Sequence, residues 1–172
     1  MTRIPRREVR VPRDPAVTSR IMAAVKSKNT RPEVTLRKAL WNRGLRYRLH
    51  ASLPGRPDIV FPSARLVVFV DGDFWHGNAW RVRGMRSFDD QFRNINNGEK
   101  WRAKIVANVQ RDEEVTVKLK ESGWCVYRVF ESRLKSDLGT VVDEIECRVR
   151  NAARATNLRK GGETGASSRA ET

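Results

Sequence analysis

Asp58, Asp71, Asp73 and His76 sit in one short stretch of the chain, and their spacing is the first sign of chemistry. Asp58 closes the turn-like Leu53-Pro-Gly-Arg-Pro57 and opens the apolar run Ile59-Val-Phe61. Asp71 and Asp73 follow a second apolar run, Leu66–Val70, and Pro62-Ser-Ala-Arg65 lies between the two. That composition predicts a hairpin. The strand ends farthest from its turn lie side by side, so Asp58 and Asp71 are expected at one edge of a sheet. Carboxylates that close repel unless a cation separates them, and a hard divalent ion with oxygen ligands, Mg²⁺ or Mn²⁺, is the natural relief. A single turn aspartate is ordinarily just solvated; two flanking one hairpin in a basic chain favour the metal. His76 lies just past the acids, where an imidazole can take a proton from water near neutral pH. Its bland alternative is a histidine packed by its aromatic neighbours. His50 lacks such company and is given no role.

Other residues carry weaker signals. Glu33 stands three residues after Thr30, and Thr-x-x-Glu is a capping box that explains Glu33 without any function. Phe74, Trp75 and Trp101 are large apolar groups beside polar chemistry. They read as core, or as wedges between stacked bases.

The elements that must position these residues follow from periodicity. Asp14-Pro15 opens a helix with Ile21, Met22 and Val25 on one face. A second begins at Thr30, carries Leu36, Leu40 and Trp41, and ends at Gly44. The period then falls to two over Leu45–His50, predicting a strand. Asp58–Phe61 is a short strand, and Leu66–Val70 reads as one buried on both faces. Residues 78–98 lack a clean period. A long amphipathic helix is expected over Glu99–Ser122, a fourth strand over Trp124–Phe130, and a last helix capped by Asp137. The order is α-α-β-β-β-α-β-α. It predicts an α/β domain at 14–152 with a central mixed four-stranded sheet, a flexible basic arm at 1–13 and a disordered tail at 153–172.

Composition narrows the class. The 172 residues hold 35 Lys+Arg against 20 Asp+Glu, a net charge of +15. The first twenty residues contribute +4 and residues 151–172 only +2, so +9 belongs to the domain itself. A polyanion partner is expected, with double-stranded DNA first and a membrane surface remote. The longest apolar run is Leu66–Val70, far below the roughly 18 residues of a bilayer span, and no signal peptide is visible. Cys125 and Cys147 cannot form a disulfide framework and are expected as buried small hydrophobes in a reducing cytoplasm.

Leu53-Pro-Gly-Arg-Pro-Asp-Ile-Val-Phe61 and Val68-Phe-Val-Asp-Gly-Asp-Phe-Trp-His-Gly77 resemble the very short patch repair (Vsr) DNA mismatch endonucleases, of the PD-(D/E)xK restriction-endonuclease-like superfamily. The likeness extends through Lys28–Glu33, Trp101–Ile105, Asn108–Asp112, Gly123-Trp124 and Val129–Glu131, covering about residues 17–135. It implies a mixed sheet flanked by helices, and nicking of one DNA strand beside a T·G mismatch that arises from deaminated 5-methylcytosine. It makes Asp58 the metal-binding aspartate, the Val70 carbonyl a second ligand and His76 the group that activates water. Glu33 orders metal-bound waters, and Phe74, Trp75 and Trp101 intercalate. Asp71 stands where one branch has a histidine, and a carboxylate there is able to bind metal. Asp73 takes the place of the superfamily lysine. Asp73, Asn78, Trp80 and Ser132 occupy the positions that bind structural zinc in some members. They are not a zinc set, so no zinc is expected. A monomer acting on DNA follows; mismatch-repair partners have no support in the sequence. The competing readings are a nuclease of this fold with another modified or mismatched target, and a catalytically silent DNA-binding module.

Overall fold

The computed structural model describes residues 28–163, the last eight as backbone only. The expected arm at 1–13, most of the first helix and the end of the tail lie outside the described residues. The elements are α1 (Arg31–Asn42), β1 (Ile59–Phe61), β2 (Leu66–Asp71), α2 (Ala79–Val82), a 3-10 turn (Asp89–Phe92), α3 (Gly98–Glu121), β3 (Cys125–Phe130), α4 (Glu131–Ser136) and α5 (Leu138–Glu163). The sheet order is β1-β2-β3. β1 pairs antiparallel with β2, Ile59 opposite Val68, and β3 pairs parallel with β2, Phe69 opposite Arg128 and Val70 opposite Val129.

The central strand is buried along both faces, as its continuous apolar run predicts. One face, with Ile59, Phe61, Leu66 and Val68, packs against Leu36 and Leu40 of α1 and Val141, Val142 and Ile145 of α5. The other, with Val60, Val67 and Phe69, packs against Leu119 and Val115 of α3. Strand alternation puts Asp71 on the α3 side with Val67 and Phe69.

Several expectations are corrected. The sheet has three strands among the described residues, not four. Of Leu45–His50 only Arg48 pairs, exchanging both hydrogen bonds with Val60 (2.8 and 2.9 Å). His50 turns to φ +55° and ends the extended run, while the Tyr47 hydroxyl donates to the Arg37 carbonyl and ties the segment to α1. The alternation serves to bury Leu45 and to seat Tyr47 edge-on against Phe61. Trp41 is exposed under the Arg46 guanidinium rather than buried in the stripe of α1. Both cysteines are exposed, not buried. α4 is an extra helix, and the last helix, α5, spans Leu138–Glu163. Its start is as expected, with the Asp137 carboxylate accepting the Thr140 N–H at 3.2 Å. No described helix is long and apolar enough to cross a membrane.

Candidate active site

β1 is three residues long, so β2 outruns it, and the backbone of Val70 has no strand partner on that edge. Asp58 fills the gap. Its N–H donates to the Val68 carbonyl (3.1 Å), and its Oδ2 accepts the Val70 N–H at 2.8 Å. In a strand the N–H and C=O of one residue point to the same side. The Val70 carbonyl therefore faces the edge that Asp58 occupies, and the Oδ1 of Asp58 has no donor among the described residues. A carboxylate oxygen and a backbone carbonyl at one edge, with other acids near, fit a hard cation. Burial pushes the Asp58 carboxyl up to about 6; the Val70 N–H and Arg37 oppose this, and Glu33 and Asp71 add to it. An ion held there would relieve that repulsion.

Glu33, on the first turn of α1, is buried. The capping box is not formed as predicted. Thr30 Oγ1 donates to Glu33 Oε1 (2.8 Å) instead of capping a backbone amide, and Glu33 Oε2 accepts the N–H of Asn29 (2.9 Å) and Arg37 Nη2 (2.9 Å). Oε1 thus takes one bond and keeps a lone pair.

The C-terminal end of β2 carries the densest network. Asp71 is gripped by Arg128 of β3, Nε to Oδ2 at 2.8 Å and Nη2 to Oδ1 at 2.7 Å. The same Nη2 lies 2.9 Å from Asp112 Oδ1 on α3. His76 Nδ1 meets Asp112 Oδ2 at 2.5 Å and is 3.6 Å from Asp71 Oδ1. An ionised carboxylate only accepts, so Nδ1 carries a proton, and in the neutral ring Nε2 is the nitrogen with the free lone pair. Burial alone would raise the Asp112 carboxyl, but His76 and Arg128 hold it below the ordinary range. Burial would lower Arg128, and the Asp71 carboxylate keeps it raised. Ligand atoms of Asp71, His76 and Asp112 lie within 4.8 Å of one another, a grouping that could hold a metal ion. Asp58 is outside that grouping. Asp58 and Asp71 feel each other's charge, yet each is committed to a different partner.

Asp73, buried beside the acids, has another task. Its carboxylate accepts Asn78 Nδ2 (2.6 Å), Ser132 Oγ (2.7 Å) and Ser132 N–H (3.1 Å). This clasp ties the loop after β2 to the start of α4. Phe74, Trp75 and Trp101 stand edge-on to one another, with centroids 5.3, 5.7 and 5.7 Å apart, and all three are half-buried. Asn108 donates to the Trp75 carbonyl and fixes that loop on α3.

Asp112 and Arg128 are the residues that the sequence reading missed. Each left a trace. Ile105, Val109, Thr116 and Leu119 recur at i, i+4 and i+3 steps, and Asp112 interrupts that stripe at an inward position. Arg128 is a charge within the otherwise apolar Val126–Val129 of a strand, where it requires a partner.

One family model and three relatives bear on this geometry. Residues 12–82 match the family model for the DNA mismatch endonuclease Vsr. The type II nicking enzyme V.NmeDIP of Neisseria meningitidis serogroup C is 38% identical over 143 residues, 80% of this chain and 88% of that protein. The type II nicking enzyme V.XorIIP of Xanthomonas oryzae pv. oryzae is 44% identical over 132 residues, 76% and 88% of the two chains. The DNA mismatch endonuclease Vsr of Escherichia coli is 36% identical over 123 residues, 71% and 74%.

Proposed function

Because this chain belongs to the Vsr family of DNA endonucleases, we propose that it nicks one strand of double-stranded DNA beside a T·G mismatch, as a monomer, with Mg²⁺ or Mn²⁺ as cofactor. The observation that carries the reading is the His76–Asp112 hydrogen bond beside the Asp71 carboxylate. In the neutral ring it leaves Nε2 as an oriented acceptor near Asp71 at the end of β2.

Asp58 and the Val70 carbonyl would hold the ion, with Asp71 joining only if it gives up Arg128. A bound divalent cation polarises the phosphodiester and stabilises the leaving 3′-oxygen. His76 Nε2 takes the proton of the attacking water, and Asp112 keeps the imidazole in the required tautomer. Glu33 Oε1, with a lone pair in hand, orients that water. Phe74, Trp75 and Trp101 enter the base stack; unstacking costs least at a mispair, so the wedge itself favours mismatched substrate.

Nicking of a T·G duplex beside its matched control, with Mg²⁺, tests the reading. Wild-type protein cuts only the mismatched duplex, and Asp58→Ala and His76→Ala proteins bind it without cutting. Full activity in either variant refutes its assigned role. The names of two relatives, type II nicking enzymes, support a second reading: the same chemistry at a different mismatched or modified site. A panel of mismatched, methylated and plain duplexes separates the two.

A further inference from the structure

We infer that Arg128 is a positioning residue of this site: its guanidinium is the resident cation between Asp71 and Asp112, and by neutralising that pair it commits Asp112 to His76. The inference rests on the nuclease reading above.

The geometry is that of a keystone. Arg128 projects from the middle of β3, opposite Phe69 of β2, and its guanidinium lies 4.6 Å over the Phe69 ring. The ring fixes the plane of the fork from below. From that plane Nε and Nη2 take both oxygens of Asp71, and Nη2 also reaches Asp112. Nη1 is buried with no hydrogen-bond partner among the described residues, so the fork is aimed at the two acids at the expense of its other nitrogen. The two acids come from different elements, β2 and α3, and Arg128 from a third. Among the described residues, the Arg128 side chain joins all three.

Removing the guanidinium would leave a buried and a part-buried carboxylate facing one imidazole. Asp71 Oδ1 is already 3.6 Å from His76 Nδ1 and would compete with Asp112 for its proton, while the acids repel each other. Lysine could not substitute, because one ammonium lacks the planar fork that serves both oxygens of Asp71 and a second acid. The neighbouring ligand atoms of Asp71, His76 and Asp112 are therefore already joined by protons and by Arg128. A metal ion in their midst would have to displace the guanidinium.

The test uses full-length Arg128→Met, Arg128→Lys, Asp71→Asn and Asp71→Asn/Arg128→Met proteins, with Asp58→Ala as the reference for a lost metal ligand. Single-turnover nicking is measured on a duplex that wild-type protein cuts, DNA affinity and thermal unfolding separately. Arg128→Met is expected to lose about a hundredfold or more in nicking rate, with affinity within about threefold. The double variant regains about tenfold over Arg128→Met, since a neutral amide in place of the Asp71 carboxylate no longer repels Asp112. Asp71→Asn alone loses less than about tenfold, far less than Asp58→Ala. A double variant no better than Arg128→Met, or an Asp71→Asn protein as inactive as Asp58→Ala, overturns the inference. If Arg128→Met fails to fold, the comparison of Asp71→Asn with Asp58→Ala decides alone. A second readout needs neither metal nor activity. The downfield proton NMR signal of His76 Nδ1–H, assigned against His50→Gln, is expected in wild type and Asp71→Asn and lost in Arg128→Met and Arg128→Lys. Its persistence in a folded Arg128→Met protein overturns the inference even if wild type cuts no duplex, the result that would sink the nuclease reading separately.

Discussion

Asp58 is an acid held where it is least comfortable. Burial, then the charges of Glu33 and Asp71, raise its carboxyl to about 6 from an ordinary 3.8. The folded state thus binds this proton more tightly than the unfolded chain does. The stabilisation it gives is complete below the ordinary value and is lost as pH rises through about 6, an effect on the order of 3 kcal/mol. Asp58→Asn keeps an acceptor for the Val70 N–H and removes the charge. It is expected to raise the metal-free protein's melting temperature at pH 8, by several degrees per about 1–2 kcal/mol gained, while abolishing nicking. Unchanged or lower stability would show that Asp58 is not strained. Asp112 is the opposite case. Its carboxyl lies below the ordinary range, so its contribution is present above that range and lost as pH falls through the depressed value. Asp112→Asn offers His76 an amide in place of a carboxylate. A loss of about 10²–10⁴ in nicking rate with DNA binding intact is expected, and a loss under about threefold would remove Asp112 from the mechanism.

At the scale of elements, the loop after β2 must hold His76 and two of the three aromatics still without belonging to a strand or long helix. The Asp73 clasp does this from one end. Ser132→Ala removes one side-chain bond and is expected to cost about 1 kcal/mol, whereas Asp73→Ala leaves Asn78 and the Ser132 N–H without their partner and costs about 2–4 kcal/mol. The clasp needs only side-chain and backbone hydrogen bonds, so a zinc-selective chelator at constant Mg²⁺ is expected to leave the melting temperature of wild-type protein unchanged. A fall on chelation, restored by zinc, would refute this. Gly77 serves the same loop. It follows His76 at φ +73°, and a Cβ there would lie 3.2 Å from Val109 Cγ2. Gly77→Ala is therefore strained twice over. It is expected to lower nicking rate together with stability, because the backbone that must shift carries His76.

At the scale of the whole molecule, the site's acids sit within a chain of net charge +15. That excess is expected to supply the phosphate contacts. If about six phosphates are neutralised, DNA affinity falls about a thousandfold between about 50 and 200 mM salt. A nearly flat salt response would mean that the basic surface does not engage the backbone.

The hairpin, the buried central strand and the closeness of Asp71 to His76 were legible in the sequence. They depend on local composition and on periods of two or a few residues, which neighbours along the chain set. The strand over Leu45–His50 was not, because pairing needs a partner edge, and a three-residue β1 and the turn at His50 limit it to one bridge. Nor was the partner of each acid. Whether Asp71 faces a metal, Asp58 or an arginine depends on Arg128, 57 residues away, and on the approach of α3 that carries Asp112. Sequence determined that Asp58 and Asp71 lie at the same end of one hairpin. Tertiary structure alone decided how they pair, because pairing is set by packing between elements that are remote in the chain, at distances of about 3 Å where a single rotamer changes the partner.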